Sequence, residues 1–119
     1  MQTFCDGRQN GTQCYGALGG NVSLRLLDKT DAGRYYTWTQ NNALTILRVK
    51  KNRAVITDRG HDGRSSFDVS SGTFKMSDIT RSDAGHYVLT VIDASTGQAI
   101  ESENKHLHLS VQGSDTNNN

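Results

Sequence analysis

The sequence predicts an all-β fold in which two sheets of short strands pack face to face as a sandwich. Apolar and polar residues alternate over short stretches, and no long stretch shows the helical period. Clusters of Gly, Asn, Asp and Ser, which favour turns, separate these stretches. Many short strands within about 100 residues are typical of a two-sheet sandwich. The predicted strands are residues 21–27, 34–40, 44–50, 54–57, 65–69, 73–77, 85–92 and 106–111.

The length and charge balance fit one domain. The chain has 119 residues, and 13 basic against 12 acidic side chains leave a formal charge of +1. This balance argues against binding to nucleic acid or a membrane surface, since both need a basic surplus. No apolar run is long enough to span a membrane, and residues 1–5 lack a signal-peptide layout, so we expect any targeting or anchoring segment outside this sequence. The main domain is predicted at residues 15–112, and the polar residues 113–119 as a tail or linker.

Two cysteines, Cys5 and Cys14, lie close together near the amino terminus. Two free thiols and a local disulfide are both compatible with this spacing. The glycosylation sequons that begin at Asn10 and Asn21 favour an oxidising, secretory compartment, and therefore favour the disulfide. We expect the bridge to hold a leading segment, residues 1–14, without joining the two sheets. By the chain-entropy relation it would contribute about 2 to 3 kcal/mol of stability.

Residues 83–89, with the sequence DAGHYVL, carry the most informative motif. They match the pattern Asp-x-Gly-x-Tyr-x-Cys of the corner that begins the F strand of immunoglobulin domains, with Leu89 in place of the cysteine. The Tyr87 hydroxyl is expected to bond to the backbone upstream and so to fix this corner. Arg64 stands where V-type immunoglobulin domains carry an arginine that pairs with the corner aspartate, here Asp83. Such a pair would close one end of the sandwich.

The predicted core centres on Trp38, the only tryptophan of the chain. Its distance from Leu26 fits the core tryptophan of strand C, with Leu26 at the position of the first cysteine. Both partners of the usual disulfide between the sheets are therefore leucines, Leu26 and Leu89. Each buried leucine adds about 1.5 to 3 kcal/mol of apolar burial. The sequence therefore predicts a V-type immunoglobulin sandwich that lacks the inter-sheet disulfide and is held by packing.

These residues resemble the V-type amino-terminal domains of the SLAM-related lymphocyte adhesion receptors, some of which also lack this disulfide. The segments that carry the resemblance are YGALGGNVSL (15–24), YTW (36–38), SGTFKM (71–76) and TRSDAGHY (80–87), within about residues 15–112. Cys5 and Cys14, in a leading extension, depart from the pattern of the family. The resemblance implies an extracellular domain at the membrane-distal tip of a receptor. It also implies binding to an identical or related domain through the GFCC′C″ sheet.

Strand alternation predicts which side chains lie on the outer face of that sheet. Because Trp38 and Tyr87 must point into the core, their neighbours along strands C and F point outward. Asn10 and Asn21 are expected to lie with the opposite sheet, so that glycans would leave this face open. A surface of uncharged residues with a polar rim is typical of protein interfaces. The predicted partner-binding residues are Tyr35, Thr37, Thr39, Ile46, Arg48, Val88, Thr90, Ile92 and His106.

Three histidines of strands F and G, His86, His106 and His108, are candidates for a zinc site. No carboxylate or thiol is placed to complete the site, so the sequence predicts neither a metal nor another cofactor. Histidines in solvent at a strand surface would instead weaken partner binding as the pH falls toward about 6.5, where imidazoles ordinarily titrate.

No catalytic motif is present: the sequence lacks a glycine-rich phosphate loop, a nucleophile elbow and a His-Glu-x-x-His pair. Asp58, His61 and Asp62 are neighbours in a polar loop and are not predicted to form a triad. The leading hypothesis is an adhesion and recognition module of an immune-cell receptor, for which weak homodimerisation is one possible mode of binding. The alternatives are a soluble or pathogen-encoded decoy for such receptors, and a receptor that reads its ligand through loops 28–33 and 93–98.

Overall fold

The structure, a computed structural model, describes residues 2–113 and consists of two β-sheets packed as a sandwich. The predicted two-sheet, all-β architecture is therefore confirmed, and of the predicted tail only Gly113 lies within the described residues. One sheet has the strand order β1-β3-β8-β7, and the other has the order β2-β10-β9-β4-β5-β6. The strands are β1 (Gln2–Asp6), β2 (Thr12–Ala17), β3 (Asn21–Arg25), β4 (Arg34–Gln40), β5 (Leu44–Lys50), β6 (Arg53–Ile56), β7 (Ser65–Asp68), β8 (Thr73–Met76), β9 (Gly85–Asp93) and β10 (Lys105–Gln112).

The core between the sheets is built around Trp38, as the sequence predicts. The Trp38 ring stacks on Tyr87, with ring centroids 5.2 Å apart, and lies tilted against Phe74 at 6.0 Å. Leu26 and Leu89 are both buried in the same apolar cluster. They occupy the positions of the usual inter-sheet cysteines, so packing and not a disulfide holds the middle of the sandwich.

Two strands, β1 and β2, are not predicted by the sequence pattern. Strand β1 runs parallel to β3, with Gln2 opposite Asn21, while β2 runs parallel to β10, with Thr12 opposite Leu107. Both are edge strands with mostly polar or small residues, so no apolar alternation marks them. Residues 2–17 are therefore divided between the two sheets, and β2 crosses the predicted boundary after residue 14.

The disulfide between Cys5 and Cys14 is present, as predicted. Cys5 lies on β1 of the four-stranded sheet, and Cys14 lies on β2 of the six-stranded sheet. The bridge thus ties together the adjoining edges of the two sheets. The prediction that this bridge would not join the sheets is wrong, because the leading segment forms a strand in each of them.

Strand β5 departs from simple alternation at Ile46. Trp38 lies opposite Leu47, but the next residue, Thr39, lies opposite Thr45, so that Ile46 is the extra residue of a β-bulge. Both Ile46 and Leu47 are fully buried in the core. The prediction that Ile46 faces outward and binds a partner is therefore wrong, whereas Arg48, beyond the bulge, is exposed as predicted.

The corner before β9 has the predicted contacts. The Tyr87 hydroxyl donates a hydrogen bond to the carbonyl oxygen of Asp83, and the Asp83 carboxylate pairs with Arg64. Burial, with the nearby charge of Asp83 as a second cause, raises the pKa of the Tyr87 hydroxyl well above its usual range. This end of the sandwich is thus closed by one buried aspartate that contacts both Tyr87 and Arg64.

Candidate partner-binding face

The candidate site is the outer face of the six-stranded sheet, where β10, β9, β4, β5 and β6 take the places predicted for G, F, C, C′ and C″. Strand β4 lies in the middle and pairs with β9 on one side and with β5 on the other. The register aligns the outward side chains in rows across the strands. We call these side chains the outer face. Its rows are Ile92, Tyr35, Lys50 and Arg53; Thr90, Thr37, Arg48 and Val55; His106, Val88, Thr39 and Thr45; and His108 with His86.

The centre of the outer face is polar but uncharged. Thr37 and Thr90 lie opposite each other and are partly exposed, as is Thr39, whose hydroxyl donates to the carbonyl oxygen of Val88. Val88 lies between inward-pointing residues and stays outside the core cluster, yet only 7% of it is exposed. Val88 therefore faces outward as predicted but contributes little surface.

One half of the outer face, on β5 and β6, is basic. Arg48 and Lys50 are exposed on β5, and Arg53 lies directly opposite Lys50 on β6. These side chains line a shallow groove with Thr57 and with Val55, which is 54% exposed. Arg53 and Val55 are absent from the residues predicted to bind a partner. Alternation along the predicted strand 54–57 indicates the outward position of Val55, but nothing local indicates that it lies beside Arg48.

The other half of the outer face, on β9 and β10, carries imidazoles. The rings of His86 and His106 are stacked, with centroids 5.2 Å apart, and Nε2 of His86 lies 3.2 Å from Nδ1 of His106. A hydrogen bond between them requires one nitrogen to donate and the other to accept. His108 lies opposite His86 in the register. Among residues 2–113, no three His, Cys, Asp or Glu side chains are grouped so that they could hold a metal ion.

The chain matches known proteins in structure and not in sequence. No family model matches it, and no curated protein sequence matches it. The first Ig-like domain of human CD48 has a TM-score of 0.69 at 20% identity, over 85% of this chain and 81% of that chain. The structure of CD84 has a TM-score of 0.67 at 16% identity, over 87% of this chain and 98% of that chain. The CD2-binding domain of CD58 has a TM-score of 0.60 at 15% identity, over 93% of this chain and 54% of that chain.

The chain has an immunoglobulin V-type fold. At sequence identities of 20% and below, structural similarity establishes the fold alone. Within the described residues, the V-type domain has no helix that is long and apolar enough to cross a membrane.

In this V-type domain the sequon asparagine Asn10 lies beside the outer face. Oδ1 of Asn10 accepts a hydrogen bond of 2.6 Å from the backbone N–H of His106, and the N–H of Gly11 donates to the His106 carbonyl oxygen. The prediction that both sequons lie with the opposite sheet is therefore wrong for Asn10, because the turn between β1 and β2 crosses to the start of β10. Asn21 is exposed at the start of β3, in the four-stranded sheet, as predicted. Glycosylation of either asparagine stays a prediction.

Ion pairs hold the loops of the V-type domain at the end where β10 begins. Arg8 contacts Asp6 and Asp28, with nitrogen to oxygen distances of 2.6 Å in each pair. The hydrogen bond from Arg8 lowers the pKa of the Asp6 carboxyl to about 2. A second pair joins Arg34 to Glu103. Of the two loops considered as a ligand-binding surface, loop 28–33 is held by Arg8 through Asp28, and loop 93–98 begins at Asp93, opposite Arg34 in the register.

Proposed function

We propose that this V-type domain is a cell-surface recognition module that binds another immunoglobulin-type receptor domain through its outer face. The observation that carries this proposal is the composition of that face. Its two central strands, β4 and β9, present the hydroxyls of Thr37, Thr39 and Thr90 with no charged side chain between them, and the cationic and imidazole side chains lie to either side. Interface cores are depleted in charge and surrounded by a polar rim, which is the arrangement found here.

The outer surface of the opposite sheet fits a partner less well. Its exposed strand positions include Ser66 and Lys75, which lie opposite each other, and Asp68. The sequon at Asn21 lies in the same sheet, so a glycan there would cover part of it. The outer face of the six-stranded sheet is the broader of the two surfaces and the one with fewer charges at its centre.

The similar structures support the kind of partner. The CD58 domain that this chain resembles in fold is described as the CD2-binding domain of that protein. An extracellular location fits the disulfide between Cys5 and Cys14, since such bonds persist in oxidising compartments. We propose that the domain binds a partner and does not act as a catalyst. We propose that it is part of a receptor and not a decoy for such receptors; either would use the same outer face.

The test is staining of cells that each display one immunoglobulin-type receptor ectodomain from leukocytes, with the V-type domain tetramerised on streptavidin. Thr90→Arg, at the centre of the outer face, is expected to reduce the staining at least tenfold. The matched control is Ser66→Arg, a similar change on the opposite sheet, which is expected to leave the staining intact. Melting temperatures of both variants establish that they are folded.

The outcomes separate the candidate surfaces. Staining that survives Thr90→Arg but is lost with Ser66→Arg would place the partner on the four-stranded sheet. Staining that is lost only with Gln98→Arg, in the loop after β9, would favour recognition through the loops. Absence of staining across the whole panel would overturn the proposed function.

A further inference from the structure

We infer that the outer face takes an acidic protein partner, different from a second copy of this chain, on the half formed by β5 and β6. The inference rests on the proposed function, because it names the chemistry of the partner for the same face. Three observations carry it: the clustering of cations, the lack of carboxylates on the whole face, and an exposed apolar side chain between the cations.

The cations are placed together by the register of two strands. Lys50 and Arg53 lie directly opposite each other on β5 and β6, and Arg48 lies one row away on the same face. The Cβ atoms of opposed residues of paired strands are about 5 Å apart, and like charges at opposed positions destabilise the pairing. Within residues 2–113 none of the three forms a salt bridge, since the pairs found there belong to Arg8, Arg34 and Arg64. An anionic surface docked on these strands would relieve this repulsion.

The whole outer face offers no carboxylate. Its rows contain threonine, histidine, apolar residues, Tyr35 and the three cations, with no aspartate or glutamate at any outward position. Of the acidic side chains near its end, Glu103 pairs with Arg34 and Asp93 accepts a hydrogen bond from Ser95. Two copies that met through this face would bury the cations of each copy without an anion on the other to pair with them. Charges left unpaired at an interface disfavour that partner, so the face disfavours a second copy.

The groove also distinguishes a protein from an anionic polysaccharide. Val55 lies opposite Arg48 and is 54% exposed, and Nζ of Lys50 lies 5.4 Å from the centroid of the Tyr35 ring. Apolar and aromatic surface enclosed by cations is the anatomy of a protein interface. A sulfated polysaccharide would leave this valine without a contact. The expected occupant is a protein segment that places an apolar side chain on Val55 and carboxylates on the surrounding cations.

The experiment is staining of leukocytes, from the species that encodes the chain, with the streptavidin tetramer of the V-type domain. The variant Arg48→Glu/Lys50→Glu/Arg53→Glu is compared with Lys29→Glu/Arg59→Glu/Lys75→Glu, which makes the same change in charge at exposed positions off the outer face. Staining by the first variant is expected to fall more than tenfold, and staining by the second to stay near that of the wild type. Wild-type staining is expected to fall when salt is raised, to be lost after trypsin treatment of the cells, and to survive heparinase and sialidase. Melting curves, and the milder variant Arg48→Gln/Lys50→Gln/Arg53→Gln, separate lost binding from lost folding.

Other outcomes would overturn the inference. Loss of staining after heparinase or sialidase would make a polysaccharide or sialic acid the occupant. A concentration-dependent dimer of the wild type in sedimentation, abolished by the first variant, would make a second copy the occupant. Staining that survives Arg48→Glu/Lys50→Glu/Arg53→Glu but is lost with Thr90→Arg would support the proposed function and overturn only the inference of an acidic partner. Absence of wild-type staining on every leukocyte would overturn both.

Discussion

The guanidinium of Arg64 donates hydrogen bonds to both carboxylate oxygens of Asp83, over 2.7 and 3.1 Å. The Asp83 side chain is 3% exposed and that of Arg64 is 22% exposed. The Asp83 carboxylate also accepts from the backbone N–H of Thr80, and its carbonyl oxygen accepts from the Tyr87 hydroxyl. One aspartate therefore joins the loop before β7 to the corner before β9.

Removing the arginine should be strongly destabilising. We expect Arg64→Met to lower the free energy of unfolding by about 3 kcal/mol, because it leaves the Asp83 carboxylate buried without a counter-charge. Urea unfolding at neutral pH measures this change. Arg59→Met, at an exposed loop position, is the control and should change stability by no more than about 0.5 kcal/mol. Equal effects of the two variants would contradict a stabilising role for the pair.

The disulfide between Cys5 and Cys14 should stabilise the joined edges of the two sheets. The double variant Cys5→Ser/Cys14→Ser is expected to lose about 2 to 3 kcal/mol of stability, because a short closed loop is released in the unfolded chain. Hydrogen exchange should show the loss of protection first in β1, which is paired only with β3. The reduced wild type should behave like the double variant. Unchanged protection of β1 would show that its pairing does not need the bridge.

The burial of His61 predicts that the domain loses stability in mild acid. The residue is 2% exposed, and burial, with the nearby charge of Arg64 as a second cause, lowers its pKa below the ordinary 6.5. The unfolded chain therefore takes up a proton at this histidine at a higher pH than the folded chain does. Stability is full above about pH 6.5 and falls below it, by at most about 1.4 kcal/mol per pH unit, until the folded pKa is reached.

The measurement is the urea midpoint of the wild type and of His61→Leu between pH 7.5 and 5.0. The variant loses the bond between Nδ1 of His61 and Oγ of Ser65, 2.9 Å long, so its absolute stability changes at every pH. Only the slope with pH is compared. A slope that is equally steep in both proteins would mean that another group causes the acid sensitivity.

The β-bulge at Ile46 predicts that this residue is structural. Ile46→Ala is expected to cost about 2 to 5 kcal/mol, as truncation of a buried isoleucine does. Val55→Ala, on the exposed side of β6, is the control and should cost under about 0.5 kcal/mol. Thermal and urea unfolding of the two variants measure the difference. A small cost for Ile46→Ala would restore the simple alternation and the outward position of Ile46.

Local patterns in the sequence determined most of the strands and the inside of the sandwich. The alternation along β4 and β9 places Trp38, Tyr87 and Leu89 in the core, because successive side chains of a strand point to opposite faces. The DAGHYVL motif indicates the corner bonds because their partners are set by close positions in the chain, as with Tyr87 and Asp83, which are four residues apart. The charge pairing of Asp83 with the more distant Arg64 is predicted through the resemblance to V-type domains.

Only the tertiary structure decided the features that depend on pairing between distant strands. The register of β4 against β5 creates the bulge and buries Ile46, and no pattern within residues 44–50 distinguishes Ile46 from an outward residue. Parallel edge pairing gives β1 to one sheet and β2 to the other, which turns the bridge of Cys5 and Cys14 into a link between the sheets. The contact of Asn10 with His106 joins residues 96 positions apart. The sequence by itself therefore determined most of the residues that pack inside, since burial follows local alternation except at the bulge that buries Ile46. The composition of the outer face was decided by strand register, which is not local.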